Sequence, residues 1–313
     1  MNPIDLRRVR TVSAKRRKSK VRAADFARAV PPRARFRAFY ESMPDILQAK
    51  ALRELARAVA RAHAGRRQIV WGLGGHVIKV GLAPLLDDLM GRGLVTALAM
   101  NGAAAIHDFE IALMGKTSED VGPGVKTGTF GMAEETGAFF ARAAEEGRTV
   151  GLGEALKRGV ARLPYRRLSV LAAARRQGVP VTVHVAIGTD IVHMHPKCDG
   201  AAVGEATYRD FLMFAGICGG LDRGVFLNWG SAVIGPEVFV KAVTLANNVR
   251  KRPLQITTAN FDQLRHYRPR VNVVERPATK GYDFSGHHEI MMPLFRMAAL
   301  AELRGVFHPK GRA

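Results

Sequence analysis

From about residue 68 onward, short apolar runs recur along the chain. Each is followed by a glycine- or asparagine-bearing turn and then by an amphipathic stretch. Gln68–Trp71 leads into Gly72-Leu73-Gly74-Gly75-His76 and a helical pattern through Leu89; Thr96–Met100 leads into Asn101-Gly102-Ala103-Ala104-Ala105 and a helical pattern through Leu113. Pro180–Ile187 ends in Gly188-Thr189-Asp190, and Gly224–Asn228 ends in Trp229-Gly230-Ser231 before a helix at about Pro236–Asn247. Leu254–Thr258 is the last clear run, ending in Ala259-Asn260-Phe261-Asp262. Apolar runs this short, alternating with helices, predict an α/β fold: a mostly parallel Rossmann-like sheet with crossover helices. Further helices are expected at Phe36–His63, Ala133–Glu146, Leu152–Arg162 and Arg167–Gln177, while residues 115–131, rich in Gly, Thr and Lys, read as a long loop.

Composition narrows the class. The 313 residues are 47% hydrophobic, as in a globular protein with a sizeable core, and no apolar run approaches the roughly 20 residues of a membrane span. Residues 1–22 lack the apolar core of a secretory signal, and Cys198 and Cys218 form no disulfide framework, so a cytoplasmic setting is expected. About half of the +21 formal charge lies between Met1 and Arg37, where thirteen lysines and arginines face Asp5 and Asp25. This divides the chain into a basic arm at 1–37 and a single α/β domain at 38–313. The arm reads as a solvated segment or as a nucleic-acid contact through phosphate attraction. A basic-armed regulatory or nucleic-acid-binding protein is therefore one rival to an enzyme.

Ligands of an open parallel sheet bind outside the carboxyl ends of its strands, so the chemistry is sought there. Gly72, Gly74, Gly75 and His76 follow a strand and open a helix, which suits either a phosphate lying on helix N–H groups or a plain tight turn. Asn101 and Gly102 repeat that geometry, with His107 and Asp108 in the helix they open. His184, Thr189, Asp190, His193 and His195 are the densest titratable cluster. In an extended stretch His193 and His195 project to one side, as metal ligands do, and with His287, His288 and Glu289 they number enough for a metal site. A metal-dependent hydrolase or lyase is the second rival. Thr257, Thr258 and Asp262 suit ribose hydroxyls or a nicotinamide amide, and Lys280 suits a Schiff-base lysine if desolvated.

These strand ends, in this order, resemble deoxyhypusine synthases. The family's strand, TSNLxSSG-type turn and helix match Trp71-Gly72-Leu73-Gly74-Gly75-His76-Val77-Ile78-Lys79-Val80-Gly81. Its TTAGG(V/I)EED matches Ala99-Met100-Asn101-Gly102-Ala103-Ala104-Ala105-Ile106-His107-Asp108, and its PALTDGS resembles Val185-Ala186-Ile187-Gly188-Thr189-Asp190. Its glycine-rich turn is similar to Gly230-Ser231-Ala232-Val233-Ile234, its INTAxEFDGSDSGARP to Ile256-Thr257-Thr258-Ala259-Asn260-Phe261-Asp262, and its DASLVFPLL to His288-Glu289-Ile290-Met291-Met292-Pro293-Leu294-Phe295. The resemblance implies a deoxyhypusine-synthase-like fold binding NAD, a homotetramer with sites at subunit interfaces, and amine dehydrogenation followed by imine transfer through a lysine. It places Gly72, Gly74, Gly75, His76, Asn101, Gly102, Thr257, Thr258 and Asp262 around the dinucleotide. His107, Asp108, Asp190, His193 and His195 fall at the reacting end, with Lys280 as the transfer lysine. The family's EED acids fall at Ile106-His107-Asp108 and its DGSDSG acids in Gln263-Leu264-Arg265-His266. Those departures point away from deoxyhypusine formation and towards a smaller or anionic substrate.

Overall fold

The computed structural model describes residues 3–307, in two units that divide after Ala51. In the first unit every described residue from 3 to 29 except Asp25 is exposed. The single helix expected over Phe36–His63 is two, α1 (Phe36–Ser42) and α2 (Leu47–Ala64). Met43 ends α1 in an extended conformation (ψ 150), the conformation imposed on a residue that precedes proline, here Pro44.

The second unit is built on six strands: β1 (Ile69–Leu73), β2 (Ala97–Asn101), β3 (Val181–His184), β4 (Val225–Trp229), β5 (Thr257–Asp262) and β6 (Lys280–Ser285). All pairs are parallel, in the order β3-β2-β1-β4-β5-β6. β1 and β4 run buried from end to end, as strands covered on both faces do. The crossovers are α3 (Gly75–Lys79) and α4 (Ala83–Gly91), then α5 (Gly102–Met114), α6 (Val121–Thr127), α7 (Glu134–Val150), α8 (Leu152–Val160) and α9 (Val170–Arg176). These are followed by α10 (Gly200–Gly219), α11 (Ile234–Arg250), a single turn α12 (Tyr267–Pro269) leading into a π-helical stretch, and α13 (His288–Phe307). Among the described residues no helix is long and apolar enough to cross a membrane.

Two aromatic layers hold helices to the sheet. On one face Trp71 stacks on Trp229 (5.5 Å), Trp229 on Phe261 (3.8 Å) and Phe261 on Phe284 (4.7 Å), with Phe295 of α13 tilted against them. On the other, Phe226 stacks on Phe239 of α11 at 3.7 Å, beside Phe214 of α10. This second face also carries a polar row. Asn228 donates to Asn260 Oδ1 (2.8 Å) and Asn260 donates to Asp283 Oδ1 (2.9 Å), three residues in register on β4, β5 and β6.

The row explains one departure from expectation. β5 is Thr257–Asp262, not Leu254–Thr258: Asn260, which reads as a turn residue, is a strand residue whose side-chain amide is satisfied across the sheet. β6, α10 and α13 are elements the apolar pattern did not disclose, and the expected loop at 115–131 contains α6, which ends at Gly128 (φ 74).

The outer edge strand β3 is anchored by a buried acid. Asp210 of α10 accepts the N–H of Val183 (2.6 Å) and that of Gly153 in the first turn of α8 (2.8 Å), both on Oδ2. Its Oδ1 has no partner, and burial pushes its carboxyl up to about 7. A carboxyl raised in the folded state binds its proton more tightly there than in the unfolded chain. Its stabilising contribution is therefore complete below about pH 4 and is lost as pH rises through about 7. Asparagine, with its oxygen in the place of Oδ2, mimics the protonated acid. We expect Asp210→Asn to flatten the fall in urea midpoint between pH 4 and 7 relative to the wild type; an unchanged slope counts against this origin.

Candidate functional site

β1 and β4 are sheet neighbours whose chains leave to opposite sides, so a crevice opens at their carboxyl ends. Its walls are backbone. Gly74 donates its N–H to Trp229 O (2.8 Å), and a Cβ on Gly74 would lie 2.2 Å from Gly230 O. Gly230, at φ +69, donates to Phe261 O (3.0 Å), and a Cβ there would lie 2.6 Å from His288 Nε2. Gly75 is tight in a third direction, since its Cβ would come 3.1 Å from both Ala103 Cβ and the His107 ring. The Gly74 and Gly230 turns thus meet backbone to backbone, while Gly75 and Gly230 leave room for the side chains of Ala103, His107 and His288.

On one side of the crevice lies a cleft of about 210 Å³, lined by residues that include Lys79, Ala103, His107, Glu110, Glu119 and Asp190. Asn101 caps α5 by accepting the Ala104 N–H on its side-chain oxygen (2.9 Å). Gly102 follows, and a Cβ there would lie 1.9 Å from Asp190 Oδ2, so only glycine admits the acid against the helix start. Asp190 is 8% exposed, its Oδ2 has no partner, and burial pushes its carboxyl up to about 6. His107 is half-buried one turn further along α5. Burial, and then the charges of Lys79 and His76, push it down to about 4, so the imidazole is neutral. Its Nδ1 lies 2.7 Å from Thr117 Oγ1, which donates to the Glu110 carboxylate.

On the other side of the crevice the Gln263 amide hydrogen-bonds His76 Nε2 (2.7 Å), the Asp262 carboxylate accepts the Gln263 N–H (2.7 Å), and the His288 ring lies 5.7 Å from that of His76. His288 is 1% exposed and its Nδ1 has no partner. Strand-end position therefore identified Gly74, Gly75, His76, Asn101, Gly102, His107, Asp190 and Asp262 as neighbours of the crevice. It missed Lys79, Glu110, Thr117, Glu119 and Gln263. A signal for Glu110 existed in its spacing, three residues and one helical turn after His107.

Six expected site residues lie elsewhere, and a seventh, His193, sits against Asp190 but not on an extended stretch. Gly72 is inside β1, where a Cβ would lie 3.1 Å from the Phe226 ring, so it is not part of the turn. Thr257 and Thr258 open β5 at its amino end, and Thr258 is spent on Val273 O (2.7 Å). Lys280 opens β6, also at the amino edge. It is exposed, paired with Glu54 at 2.8 Å and raised in pKa by that hydrogen bond, which is the reverse of a desolvated nucleophilic lysine. Asp108 faces away from the cleft: it is fully buried and accepts from Ser169 Oγ (2.6 Å) and from the N–H groups of Val170 (2.6 Å) and Leu171 (3.0 Å), tying down the start of α9.

His193 and His195 are not on an extended stretch, because Ile191–Met194 forms a 3₁₀ turn. His193 Nδ1 accepts the N–H groups of Gly188 (3.2 Å) and Asp190 (3.3 Å), while His195 is buried on α7 beside Glu134 (3.3 Å). His184 is a core residue bonded to Thr182 (3.0 Å). Among the described residues no three histidine, cysteine or carboxylate side chains are grouped to hold a metal ion, which removes the geometric basis of the metal-enzyme reading.

No protein-family model and no curated protein sequence matches the chain. Solved structures resemble its fold. AgrE, solved as a ternary complex with ornithine and NAD⁺, superposes with a TM-score of 0.53 at 16% identity, over 83% of this chain and 33% of that one. Unliganded AgrE gives 0.52 at 15% identity, over 82% and 32%. A chain from Entamoeba histolytica described as a deoxyhypusine synthase gives 0.46 at 9% identity, over 75% and 76%, a likeness too loose to carry weight. The chain spans about a third of the length of the AgrE chains, and the likeness to them is one of fold, in agreement with the α/β architecture expected from the sequence.

The glycine contacts make a test. Gly74→Ala drives a methyl into the Gly230 carbonyl and is expected to lower unfolding free energy by about 3 kcal/mol, the upper end of the usual cost of overpacking. Gly216→Ala, on α10 with nothing within 4 Å of its Cβ, is expected to raise it by about 0.5–1 kcal/mol. Urea titration of the two variants checks both signs.

Proposed function

We propose that the chain is a divergent relative of the deoxyhypusine synthases that binds NAD across the carboxyl ends of β1 and β4. It dehydrogenates, or transfers a group from, a small amine- or amino-acid-type substrate held in the adjoining cleft. The observation that carries this reading is the β1–β4 switch point of the sheet, where the turn into α3 is the bare backbone of Gly74 and Gly75. That is the place and the surface at which parallel sheets of this order take dinucleotides. The likeness of fold to AgrE, which was solved with NAD⁺ and ornithine, supports it.

The residues present fit such a cofactor. Gly74 and Gly75 would lie under the pyrophosphate, and Asp262 and Gln263 flank the far end. Bound there, a nicotinamide supplies a hydride acceptor. The protein's part is to bind and orient the substrate and to move its proton.

A volume of about 210 Å³ is below the range of drug-sized pockets and suits a small molecule. Glu110, Glu119 and Asp190 outnumber Lys79 in the lining, which favours a cationic end over the anionic substrate suggested by the motif departures alone. The carboxylates missing from the motif positions are resupplied from α5, from the segment after it and from the turn after β3. Charge-assisted hydrogen bonds contribute about 1.5–3 kcal/mol each, so two of them change affinity by roughly 10²–10⁴-fold. With Lys280 at the opposite edge of the sheet, Lys79 is the lysine of the cleft lining, and dehydrogenation does not depend on a covalent lysine.

Isothermal calorimetry with NAD⁺ tests the cofactor. Saturable binding is expected in the wild type and, unchanged, in Lys280→Met, while absence of heat at millimolar NAD⁺ sinks the reading.

A further inference from the structure

Glu110 and His107 leave the same face of α5, one turn apart, and the Glu110 side chain reaches inward to 8% exposure. Thr117 comes to them from the segment after α5, next to Ser118 in the left-handed region (φ 69), a conformation that persists in a non-glycine residue only where its surroundings enforce it. Thr136 of α7 also approaches Glu110, at 3.5 Å.

A threonine hydroxyl has one proton to give. Thr117 gives it to Glu110 Oε2, so towards His107 Nδ1, 2.7 Å away, it can only accept. The ring proton therefore sits on Nδ1, and Nε2 keeps its lone pair. Among the described residues no protein group takes Nε2, and the ring lines the cleft.

We infer that Glu110 and Thr117 are positioning residues that lock His107 in its Nδ1–H tautomer, so that Nε2 accepts the N–H or O–H proton of an amine or hydroxyl substrate in the cleft. The inference rests on the reading of that cleft as the substrate pocket. In the step itself the substrate's N–H or O–H bond breaks and its electron pair stays on nitrogen or oxygen. The proton moves to His107 Nε2, and the imidazolium so formed faces the Glu110 carboxylate 3.9 Å from Nδ1. Lys79 and His76 on α3 oppose that charge, while Glu119 and Asp190 bring carboxyl groups to other walls of the cleft. Because burial keeps His107 uncharged down to about pH 4, the acceptor is present throughout the neutral range.

Nitrogen-15 NMR of the full chain without cofactor reads the tautomer directly, and the positional lock predicts Nδ1–H in the wild type. Thr117→Ser keeps the hydroxyl and should keep that tautomer. Thr117→Val removes it, and Glu110→Leu removes the acceptor and frees the threonine proton for Nδ1, so both should move the population towards Nε2–H. Titration with ethylammonium chloride should shift the Nε2 resonance in the wild type. An Nε2–H tautomer in the wild type, no change in both Thr117→Val and Glu110→Leu, or an Nε2 resonance that ethylammonium leaves in place overturns the proposal. None of these readings uses NAD⁺, so a failed cofactor titration leaves them intact, and their failure leaves the cofactor reading intact.

Discussion

The absence of side chains between the ends of β1 and β4 is the constraint on which the rest of the site depends. With Gly74 N–H on Trp229 O and Gly230 N–H on Phe261 O, the turns after β1 and β4 are tied backbone to backbone to the ends of β4 and β5. A methyl at Gly74 would run into the Gly230 carbonyl, and one at Gly230 into the His288 ring. Gly75 brings α3 against Ala103 and His107, and Gly230 brings His288 to the sheet, so helices from distant parts of the chain meet at one edge. The cleft is what remains when backbone packs this closely on one side and a capped helix, α5, stands on the other.

Buried carboxyl groups are put to contrasting uses around this frame. Asp108 has both oxygens engaged by the start of α9, and Asp210 joins α10 to α8 and to the edge of β3. Both hold secondary structure where backbone N–H groups would otherwise lack partners. Asp190 is nearly as buried but lines a cavity with one oxygen uncommitted, and it rests on a glycine. Burial raises all three, so pKa alone does not distinguish an acid that caps a helix from one that faces a ligand. Of the three, Asp190 alone combines an uncommitted oxygen with a place in the lining of a cavity.

The same distinction separates what the sequence disclosed from what it did not. Strand–turn–helix alternation was enough for the parallel sheet, and with it for the neighbourhood of Gly74, Asn101, Gly102, Asp190 and Asp262, since a strand's carboxyl end follows from its direction. Strand boundaries were not so legible. Asn260 reads as a turn residue until Asn228 and Asp283 are seen beside it, and the three-residue displacement of β5 carried Thr257 and Thr258 from the ligand edge to the opposite one. Lys280 failed for a related reason: a loop lysine carries no sign in sequence of which edge of a sheet it borders. α10 was hidden by its glycines and small residues, and His193 and His195 by a 3₁₀ turn that undoes the alternation of an extended chain. Thr117 and Glu110 become partners only because the chain folds back after Gly115 (φ 71), a contact no short-range pattern encodes.

The amide row on β4, β5 and β6 has a meaning for assembly as well as for polarity. Side chains alternate faces along a strand, so sliding β5 by one residue would turn Asn260 into the tryptophan-rich layer and bring Phe261 into the polar row. Each amide has its partner in only one alignment, and Asp283 extends that requirement to the outermost strand, where pairing on one side alone leaves position least determined. The row thus acts as an indexing mark: it sets how far along β4 the two later strands come to rest, and so how far Asp262 and Gln263 project beyond the sheet.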